Sequence, residues 1–310
     1  MTETKAQNDL LVILGGTASG KTRLAVALAE EYGGEIISAD SRQVFRGMDM
    51  GSGKDLHEYG AVPYHLIDIL DAGGEYSVFD FQRGFFRAVA EITDRGAVPI
   101  LCGGSGMYLD AALRGYRLVE VPHNAALRDD LASLTDAELV NELRRLKPGQ
   151  HNSTELLDRE RTVRAIEIAR GEAENCSADE RPPRLRSTVI GIRWERDVLR
   201  QRITSRLKER IDNGMIEEVQ RLHESGIPWE RLDYYGLEYR YVGAYLRGEM
   251  DRNDLTQRLG SAIHNFAKRQ GNWFRRMERH GIAIHWIDGA GDVIEQAREI
   301  IRGSYLPAES

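Results

Sequence analysis

Two hydrophobic patterns alternate over the first hundred residues. Short apolar runs predict buried β-strands at 10–14, 35–38, 64–69 and 98–102. Apolar residues at helical spacing predict amphipathic helices at 23–32 and from Ser77 to about Asp94, where Ser77 and Asp80 resemble a capping box. Strands that alternate with helices predict an α/β fold: a parallel sheet with helices on both faces and binding groups at the carboxyl ends of the strands.

From about residue 120 the pattern becomes helical, with no strand-like run before 188–194. Helices are predicted at 125–134, 136–146 and 153–170, and the polar segment 171–183 predicts a loop. We interpret this region as a helical insertion between two strands of the core. Later helices are predicted at 197–213, 216–225 and 253–280, the first two stopped near Gly214 and Gly226, followed by a strand at 283–287 and a terminal helix. The predicted domains are 1–119 (first part of the core), 120–186 (insertion) and 187–310 (core completion and a helical C-terminal region).

A glycine-rich loop lies between the first predicted strand and the first predicted helix. It matches the pattern G-x-x-x-x-G-K-[ST] with Gly15, Gly16, Thr17, Ala18, Ser19, Gly20, Lys21 and Thr22. Backbone N–H groups and the positive end of the following helix attract an anion, and the lysine adds a charge. The threonine hydroxyl is a ligand type that Mg²⁺ accepts. The sequence therefore predicts a P-loop core that binds a di- or triphosphate, with Mg²⁺ on Thr22.

The strand 98–102 runs into Gly103-Gly104, where phosphate-loop hydrolases usually carry an aspartate. Asp68 lies within a predicted strand, so it is a poor substitute. The better placed carboxylate is Asp40, just after the second strand. One interpretation makes Asp40 a general base beside the transferable group, and the other makes it a turn or helix-capping residue.

Composition limits the class of protein. The chain has 310 residues, 41% hydrophobic and 29% charged, with two cysteines and no metal-binding spacing around them. It contains no apolar run of 18 residues and no signal-peptide core, so we expect a reduced, cytoplasmic protein without membrane contact. The net charge is −7, yet residues 258–280 carry six basic residues and one acidic residue. Such a stripe suits a phosphate backbone or, equally, a solvated helix face.

Several motifs together resemble the tRNA dimethylallyltransferase (tRNA isopentenyltransferase) family. They are the loop at 15–22, Ile-Ser-Ala-Asp-Ser-Arg-Gln-Val at 37–44, Gly-Gly-Ser-Gly-Met-Tyr at 103–108, Arg-Thr-Val-Arg-Ala-Ile-Glu at 161–167, and Ala-Lys-Arg-Gln with Trp-Phe-Arg at 267–275. The resemblance spans almost the whole chain. It departs from the family pattern at Gly16, at 51–55, at Glu238-Tyr239 and at Ile263-His264. Several of these departures lie in regions that the family uses for tRNA.

The resemblance implies a reaction and the residues that carry it. The loop would hold the diphosphate of dimethylallyl diphosphate, with magnesium on Thr22. Asp40 would accept a proton from the adenine N6 amine, Ser105 would hydrogen-bond near the reacting groups, and Arg206 would grip the diphosphate. Because an exocyclic purine amine is a poor nucleophile, a carboxylate that takes its proton as the bond forms helps the transfer.

The resemblance also implies where the anticodon arm of tRNA is held. The adenine beside the anticodon must leave its stack to reach the cleft. The insertion and the basic stripe would hold the arm from two sides of a monomeric enzyme. The implied tRNA contacts are Asp40, Ser41, Arg42, Gln43, Ser105, Arg128, Glu160, Arg161, Thr162, Val163, Arg164, Arg240, Lys268, Arg269, Gln270 and Arg275.

Other interpretations stay open at the level of sequence. The chain also fits a phosphate-loop kinase of a small acceptor, a prenyltransferase that acts on free adenine nucleotides, or a non-catalytic nucleic-acid binder. The consumed donor distinguishes these classes: ATP, dimethylallyl diphosphate or neither. For Arg161 and Arg164, the alternative to tRNA contact is pairing with Glu160 or Glu167 on their own helix.

Overall fold

The computed structural model describes residues 10–148, 159–174 and 182–305. These residues form two compact units. One contains the described residues up to Gly115 and from Pro183 onward, and the other is Tyr116–Pro182. The second unit corresponds to the segment that the sequence analysis sets at 120–186.

The first unit is built on a six-stranded parallel sheet. The strands of the described residues are β1 (Leu10–Gly15), β2 (Gly34–Ala39), β3 (Phe45–Arg46), β4 (Tyr64–His65), β5 (Leu70–Asp71), β6 (Val98–Gly103), β7 (Ser187–Arg193) and β8 (Ile284–Asp288). The sheet order is β4-β2-β6-β1-β7-β8, and β3 pairs with β5 in a separate small sheet. Every recorded pairing is parallel, as predicted. Because β2, β6 and β1 are neighbours, the loops at their carboxyl ends lie side by side.

The helices of the first unit flank this sheet or follow it. They are α1 (Lys21–Tyr32), α2 (Val78–Asp94), α3 (Gly106–Arg114), α7 (Arg196–Arg210), α8 (Ile216–Glu224), α9 (Trp229–Tyr234), α10 (Leu237–Leu246), α11 (Arg252–Arg279) and α12 (Val293–Tyr305), and the insertion contributes α4 (Ala125–Ala132), α5 (Asp136–Leu146) and α6 (Arg159–Glu174). Ser77 and Asp80 form the predicted capping box of α2. Among the described residues, no helix has both the length and the apolar character needed to cross a bilayer.

The sheet divides the core into two layers. Alternate residues of β1 face opposite sides: Leu10, Val12 and Leu14 pack with α2 and α3, whereas Leu11 and Ile13 pack with α1 and α12. A third cluster joins α7, α8, α10 and α11 around Phe45. The insertion has its own small core, formed by leucines of α4 and α5 with Ile166 of α6. The first two layers fix the sheet edge that carries the loops described below.

The strand predicted at 64–69 is wrong beyond its first two residues. Only Tyr64 and His65 pair with β2. Leu66 and Asp68 take positive φ angles of 61° and 54°, which a strand does not tolerate. The chain therefore turns there, and residues 70–71 join β3 instead.

The helix break predicted near Gly214 is confirmed. A π-type turn over Ile211–Met215 lies between α7 and α8, and within it Asn213 and Gly214 have non-helical backbone angles, with a φ of 108° at Gly214. Glycine permits this left-handed conformation, so the chain kinks there before α8 begins. The sequence pattern missed α3, α9 and α10. In the insertion, α6 extends to Glu174, so the loop predicted at 171–183 begins with helix; residues 153–158 and 175–181 lie outside the described residues.

Candidate active site

The phosphate loop is held from behind by side chains of distant elements. The indole Nε1 of Trp194 donates to the Ser19 carbonyl and the Arg202 Nε donates to the Ala18 carbonyl, both at 2.9 Å. The Arg202 guanidinium also stacks 4.1 Å from the centre of the Trp194 ring. Ala18 and Gly20 have positive φ angles of 60° and 88°, which turn the chain sharply into α1. Since these carbonyls are bonded to side chains behind the loop, the positive end of α1 and the N–H groups at its start are the groups that attract an anion.

Lys21 lies in a positively charged part of this cradle. Burial lowers the pKa of its ammonium group, and the positive charges of Arg206 and Arg210 lower it further, while Asp40 acts in the opposite direction. The Ser19 hydroxyl is buried in the same loop and has no hydrogen-bond partner among the described residues. A buried hydroxyl without a partner and a lysine crowded by like charges both favour a bound anion.

Asp40 follows β2 directly. Its Oδ1 accepts the Arg42 N–H at 2.9 Å, so the turn-forming role considered from sequence is present. Its Oδ2 makes no recorded hydrogen bond with the described residues, which leaves one oxygen for a substrate proton. The Ser105 N–H donates to the Ala39 carbonyl at 3.3 Å, which brings the loops after β2 and β6 together. Asp40 therefore lies beside Ser105, at the same edge of the sheet as the phosphate loop, and strand β6 lies between the two.

Ser105 stands at the start of α3 without capping it by its side chain. The hydroxyl of an N-terminal serine usually bonds to the first turn of its helix. Here that bond is not made, so the half-buried hydroxyl has its hydrogen-bonding capacity left for a ligand in the cleft.

Gln270 joins the two glycine-rich loops. From α11, its Oε1 accepts the Thr17 N–H and its Nε2 donates to the Gly104 carbonyl, both at 2.9 Å. The side chain is buried, so the structure gives this predicted tRNA contact a supporting position within the protein. The sequence carried a signal for it, because Gln270 shares a helical face with the buried residues Ile263, Phe274 and Met277.

Arg206 lies on α7 and pairs with Asp55. Arg210, one turn further along α7, approaches the same carboxylate oxygen at 3.3 Å. Both arginines influence Lys21 electrostatically, so the cations of α7 and of the phosphate loop belong to one site. Asp55 and Arg210 were not among the predicted site residues.

The segment that presents Asp55 is fixed by two buried charges. The carboxylate of Glu218 accepts the N–H groups of Asp49, Met50 and Gly51 at 2.6–3.0 Å and the Tyr239 hydroxyl at 3.0 Å. The Lys54 ammonium is fully buried and bonds to the Phe45 carbonyl, Asp49 and Asp68. Sequence reasoning missed this arrangement, since single charged residues carry no periodic signal.

The side chains of Arg42 and Gln43 are bonded to other groups of the protein. The Arg42 guanidinium donates to the Tyr234 carbonyl at 3.0 Å and lies 5.4 Å from the centre of the Tyr234 ring. The Gln43 amide lies between the Ser38 hydroxyl at 2.8 Å and the Gly53 carbonyl at 3.3 Å. Ser41 is half-buried beside them.

The predicted contacts on the long helix α11 are exposed. Lys268, Arg269 and Arg275 face solvent, as does Arg240 on α10. An open groove of about 520 Å³ runs between these two helices, and its lining includes Tyr241, Arg258 and Arg269. Basic and aromatic side chains around an open groove suit a single-stranded nucleic acid.

The predicted contacts of the insertion have different surroundings. Arg128 and Arg164 both bond to the buried carboxylate of Glu167, which was the alternative considered for Arg164. Thr162 is buried and Val163 packs against the core of the insertion, whereas Glu160 and Arg161 are exposed.

No cluster of three or more His, Cys, Asp or Glu residues with metal-binding geometry occurs in the described ranges. A magnesium ion that accompanies a phosphate ligand usually keeps phosphate oxygens and water as ligands, and the Thr22 hydroxyl would add one more. Thr22, at the start of α1, is half-buried and fits that requirement.

The sequence and the fold of this chain both resemble those of known proteins. A family model described as IPP transferase matches residues 43–277. The tRNA dimethylallyltransferase 2 of Pelobacter propionicus is 65% identical over 294 residues, covering 94% of each chain, and that of Trichlorobacter lovleyi is 63% identical over 297 residues, covering 96% of this chain and 97% of the relative. The crystal structure of the tRNA isopentenylpyrophosphate transferase from Bacillus halodurans superimposes with a TM-score of 0.69 at 31% identity, covering 95% of both chains. The family model spans Ser105, Arg206 and Gln270, and the relatives extend the match across Asp40 and the phosphate loop. This chain therefore belongs to the IPP transferase family, the tRNA dimethylallyltransferases.

Proposed function

We propose that this protein transfers the dimethylallyl group of dimethylallyl diphosphate to the N6 amine of the adenine 3′-adjacent to the anticodon in tRNA. The observation that carries the proposal is the placement of Asp40 at the same sheet edge as an intact phosphate loop, next to Ser105. The family membership of the chain supports the choice of this reaction over other phosphate-loop chemistry.

The donor binds through its diphosphate. The loop N–H groups, Lys21 and Arg206 offset the negative charge that grows on the diphosphate as the allylic C1–O bond breaks. Thr22 would supply a hydroxyl ligand to Mg²⁺, and the bound ion would add charge neutralisation of the same kind. The bonding electron pair leaves with the diphosphate, which is released.

The acceptor contributes its exocyclic amine. As N6 forms a bond to C1 of the dimethylallyl group, the nitrogen loses a proton, and Asp40 Oδ2 accepts it. Ser105, whose hydroxyl is not used in capping, is placed to hydrogen-bond the amine or the diphosphate. No step needs an activated water. This agrees with β6 running into Gly103-Gly104, where a hydrolase would carry an aspartate.

The tRNA is held by groups outside the cleft. The exposed cations of α11, together with Arg240 on α10, are the groups that contact its phosphates. An adenine that reaches Asp40 must leave the anticodon-loop stack, which costs a few kcal/mol. Contacts to the flanking phosphates offset that cost.

The test is a comparison of donors and acceptors. Labelled dimethylallyl diphosphate and labelled ATP are each incubated with the protein, Mg²⁺ and either bulk tRNA or AMP. Label transferred from dimethylallyl diphosphate to tRNA, and absent from a tRNA with guanine at the target position, supports the proposal. Transfer to AMP alone would make the protein a nucleotide prenyltransferase, and consumption of ATP with phosphorylation of an acceptor would make it a kinase.

A further inference from the structure

Three arginines stand in a row on one side of α7. Arg202, Arg206 and Arg210 are spaced four residues apart, so their side chains project from successive turns over about 12 Å of helix. Arg202 bonds to the phosphate loop and Arg206 pairs with Asp55. Arg210, the third arginine of the row, has no role in the proposed reaction.

Arg210 occupies a space built for its guanidinium group. Gly53 lies against it with a φ of 69°, and a Cβ at that position would collide with the guanidinium nitrogens. The Arg210 side chain is only 13% exposed, although its recorded carboxylate contact is a single one, to Asp55 Oδ2 at 3.3 Å. A largely buried guanidinium normally satisfies several of its five donors. Among the described residues, Arg210 has most of its donors left.

Three cations lie close together at Arg210. Arg206 and Arg210 share one oxygen of Asp55, and both act electrostatically on Lys21. Burial lowers the pKa of Arg210, and the charge of Arg206 lowers it further. Asp40 and Glu238 are further carboxyl groups that act on this cluster, and burial raises the pKa of Glu238. An anion bound beside the guanidinium groups would relieve their mutual repulsion.

We propose that Arg210 is a second guanidinium, beside Arg206, that binds the diphosphate of the donor. This inference rests on the proposed function and adds a residue to it. The diphosphate is the better occupant than a tRNA phosphate because Arg210 shares a carboxylate with Arg206 and influences Lys21, the two cations that the proposed function assigns to the donor. The exposed cations of α11 offer the tRNA backbone a more accessible surface.

The test measures binding of inorganic pyrophosphate with Mg²⁺ by calorimetry, together with KM for dimethylallyl diphosphate and for tRNA. Arg210→Gln should weaken pyrophosphate binding roughly 10- to 100-fold, as expected for loss of a charge-assisted hydrogen bond. The KM for dimethylallyl diphosphate should rise in parallel, and the Kd for tRNA should not change. Arg210→Lys keeps the charge but loses the planar fork, so its effect should be intermediate. Arg200→Gln removes the same charge from an exposed position of α7 and should behave as wild type.

Two outcomes would overturn the inference. One is wild-type pyrophosphate affinity in Arg210→Gln, and the other is a weaker Kd for tRNA with unchanged pyrophosphate binding. If Arg210→Gln does not fold, Arg210→Lys decides by the same comparison. The proposed function fails separately, when the wild-type protein binds pyrophosphate but transfers no dimethylallyl group to tRNA.

Discussion

The insertion and the core each contain a carboxylate that two arginines share. In the insertion, Glu167 is fully buried and accepts two parallel hydrogen bonds from Arg128 at 2.9 Å, a third from Arg164 at 3.1 Å and a fourth from the Asn124 N–H at 3.0 Å. A further nitrogen of Arg164 donates to the Val121 carbonyl at 2.7 Å. Both oxygens of the carboxylate are used.

The core cluster has the same composition but a different arrangement. Arg206 and Arg210 meet on a single oxygen of Asp55, which is 27% exposed, and Lys21 lies in the same electrostatic environment. These guanidinium groups make one recorded side-chain contact each with the described residues. Donors therefore remain for a ligand.

The comparison separates arginines that build the fold from arginines that bind. A sequence motif lists both kinds alike, because it records residue type and spacing. What distinguishes them is whether protein acceptors already satisfy the guanidinium donors. Arg128 and Arg164 belong to the first kind, so their influence on tRNA binding should pass through the shape of the insertion.

The largest effect should come from Asp40, on the binding side of the comparison. Asp40→Asn keeps an oxygen for the Arg42 N–H but has no basic oxygen for the N6 proton. The rate of dimethylallyl transfer in single-turnover reactions should fall by ~10²–10⁴-fold. Pyrophosphate affinity should change little, since the cradle is intact.

Asp94→Asn is the matched control, because it makes the same change at an exposed helix end. A wild-type single-turnover rate in Asp40→Asn would leave Asp40 with its turn-forming role alone. The cations of the core would then serve donor binding without a base nearby.

At Glu167, which belongs to the cluster that builds the fold, the expected effect is on stability and not on the reaction rate. Glu167→Gln leaves two partly buried arginines without their anion, which should lower the free energy of unfolding of the insertion by about 3 kcal/mol. Urea denaturation and amide hydrogen exchange across α4 and α6 measure it. Glu160→Gln, exposed on the same helix, should stay within about 0.5 kcal/mol of wild type.

The Glu167 effect has a defined pH dependence. Burial raises the pKa of this carboxyl, but hydrogen bonds from Arg128, the Asn124 N–H and Arg164 outweigh burial and hold the pKa at about 2, below the usual 4.5. A lowered pKa means that the carboxylate stabilises the fold above pH 4.5 and loses this contribution as the pH falls towards 2. The stability difference between wild type and Glu167→Gln should therefore shrink over that window. A difference that is constant from pH 7 to pH 2 would assign the loss to packing.

The central strands of the sheet could be predicted from the sequence because each is a short segment rich in apolar residues that are buried on both faces of the sheet. Strands β1, β2, β6 and β7 and the capped helix α2 are confirmed within a residue or two. The stretch 64–69 could not be predicted correctly. Its apolar residues suggest a strand, but Leu66 and Asp68 have positive φ angles, and Asp68 pairs with the buried Lys54. That turn depends on a tertiary ion pair, which no local pattern records.

The candidate site divides in the same way. The phosphate loop, Asp40 and Ser105 follow strands, so their convergence could be predicted from topology. Asp55, Arg210 and Glu218 could not be predicted, because their roles depend on which backbone groups and charges come near them in space. Gln270 lies between these cases: its buried face is visible in the helical period, but its partners Thr17 and Gly104 are not.

Gln270 tests, with an uncharged residue, the distinction between groups that support the donor site and groups that contact tRNA. Gln270→Met keeps the volume but leaves the Thr17 N–H and the Gly104 carbonyl without their partner. Since each lost partner of a buried group costs about 1–3 kcal/mol, pyrophosphate affinity should fall roughly tenfold or more. The salt dependence of tRNA binding should be that of wild type. A changed salt dependence with normal pyrophosphate affinity would instead support the tRNA contact implied by the family resemblance.

The smallest effects, and the ones that most directly divide the two kinds of arginine, are expected in salt titrations of tRNA binding. Lys268→Gln, Arg269→Gln and Arg275→Gln each remove an exposed cation of α11. Every phosphate contact that is lost should reduce the slope of log Kd against log salt by about 0.7–0.9 and weaken binding a few-fold. Pyrophosphate affinity should stay unchanged.

The paired measurement uses Arg128→Gln and Arg164→Gln at a temperature where circular dichroism shows both variants folded. Their guanidinium donors already bond to Glu167 and Val121, so no phosphate contact is lost and the slope should equal that of wild type. Their free energy of unfolding should fall instead. Reduced slopes in these two variants would place the insertion arginines on the RNA, and wild-type slopes in all three α11 variants would take the basic stripe out of the interface.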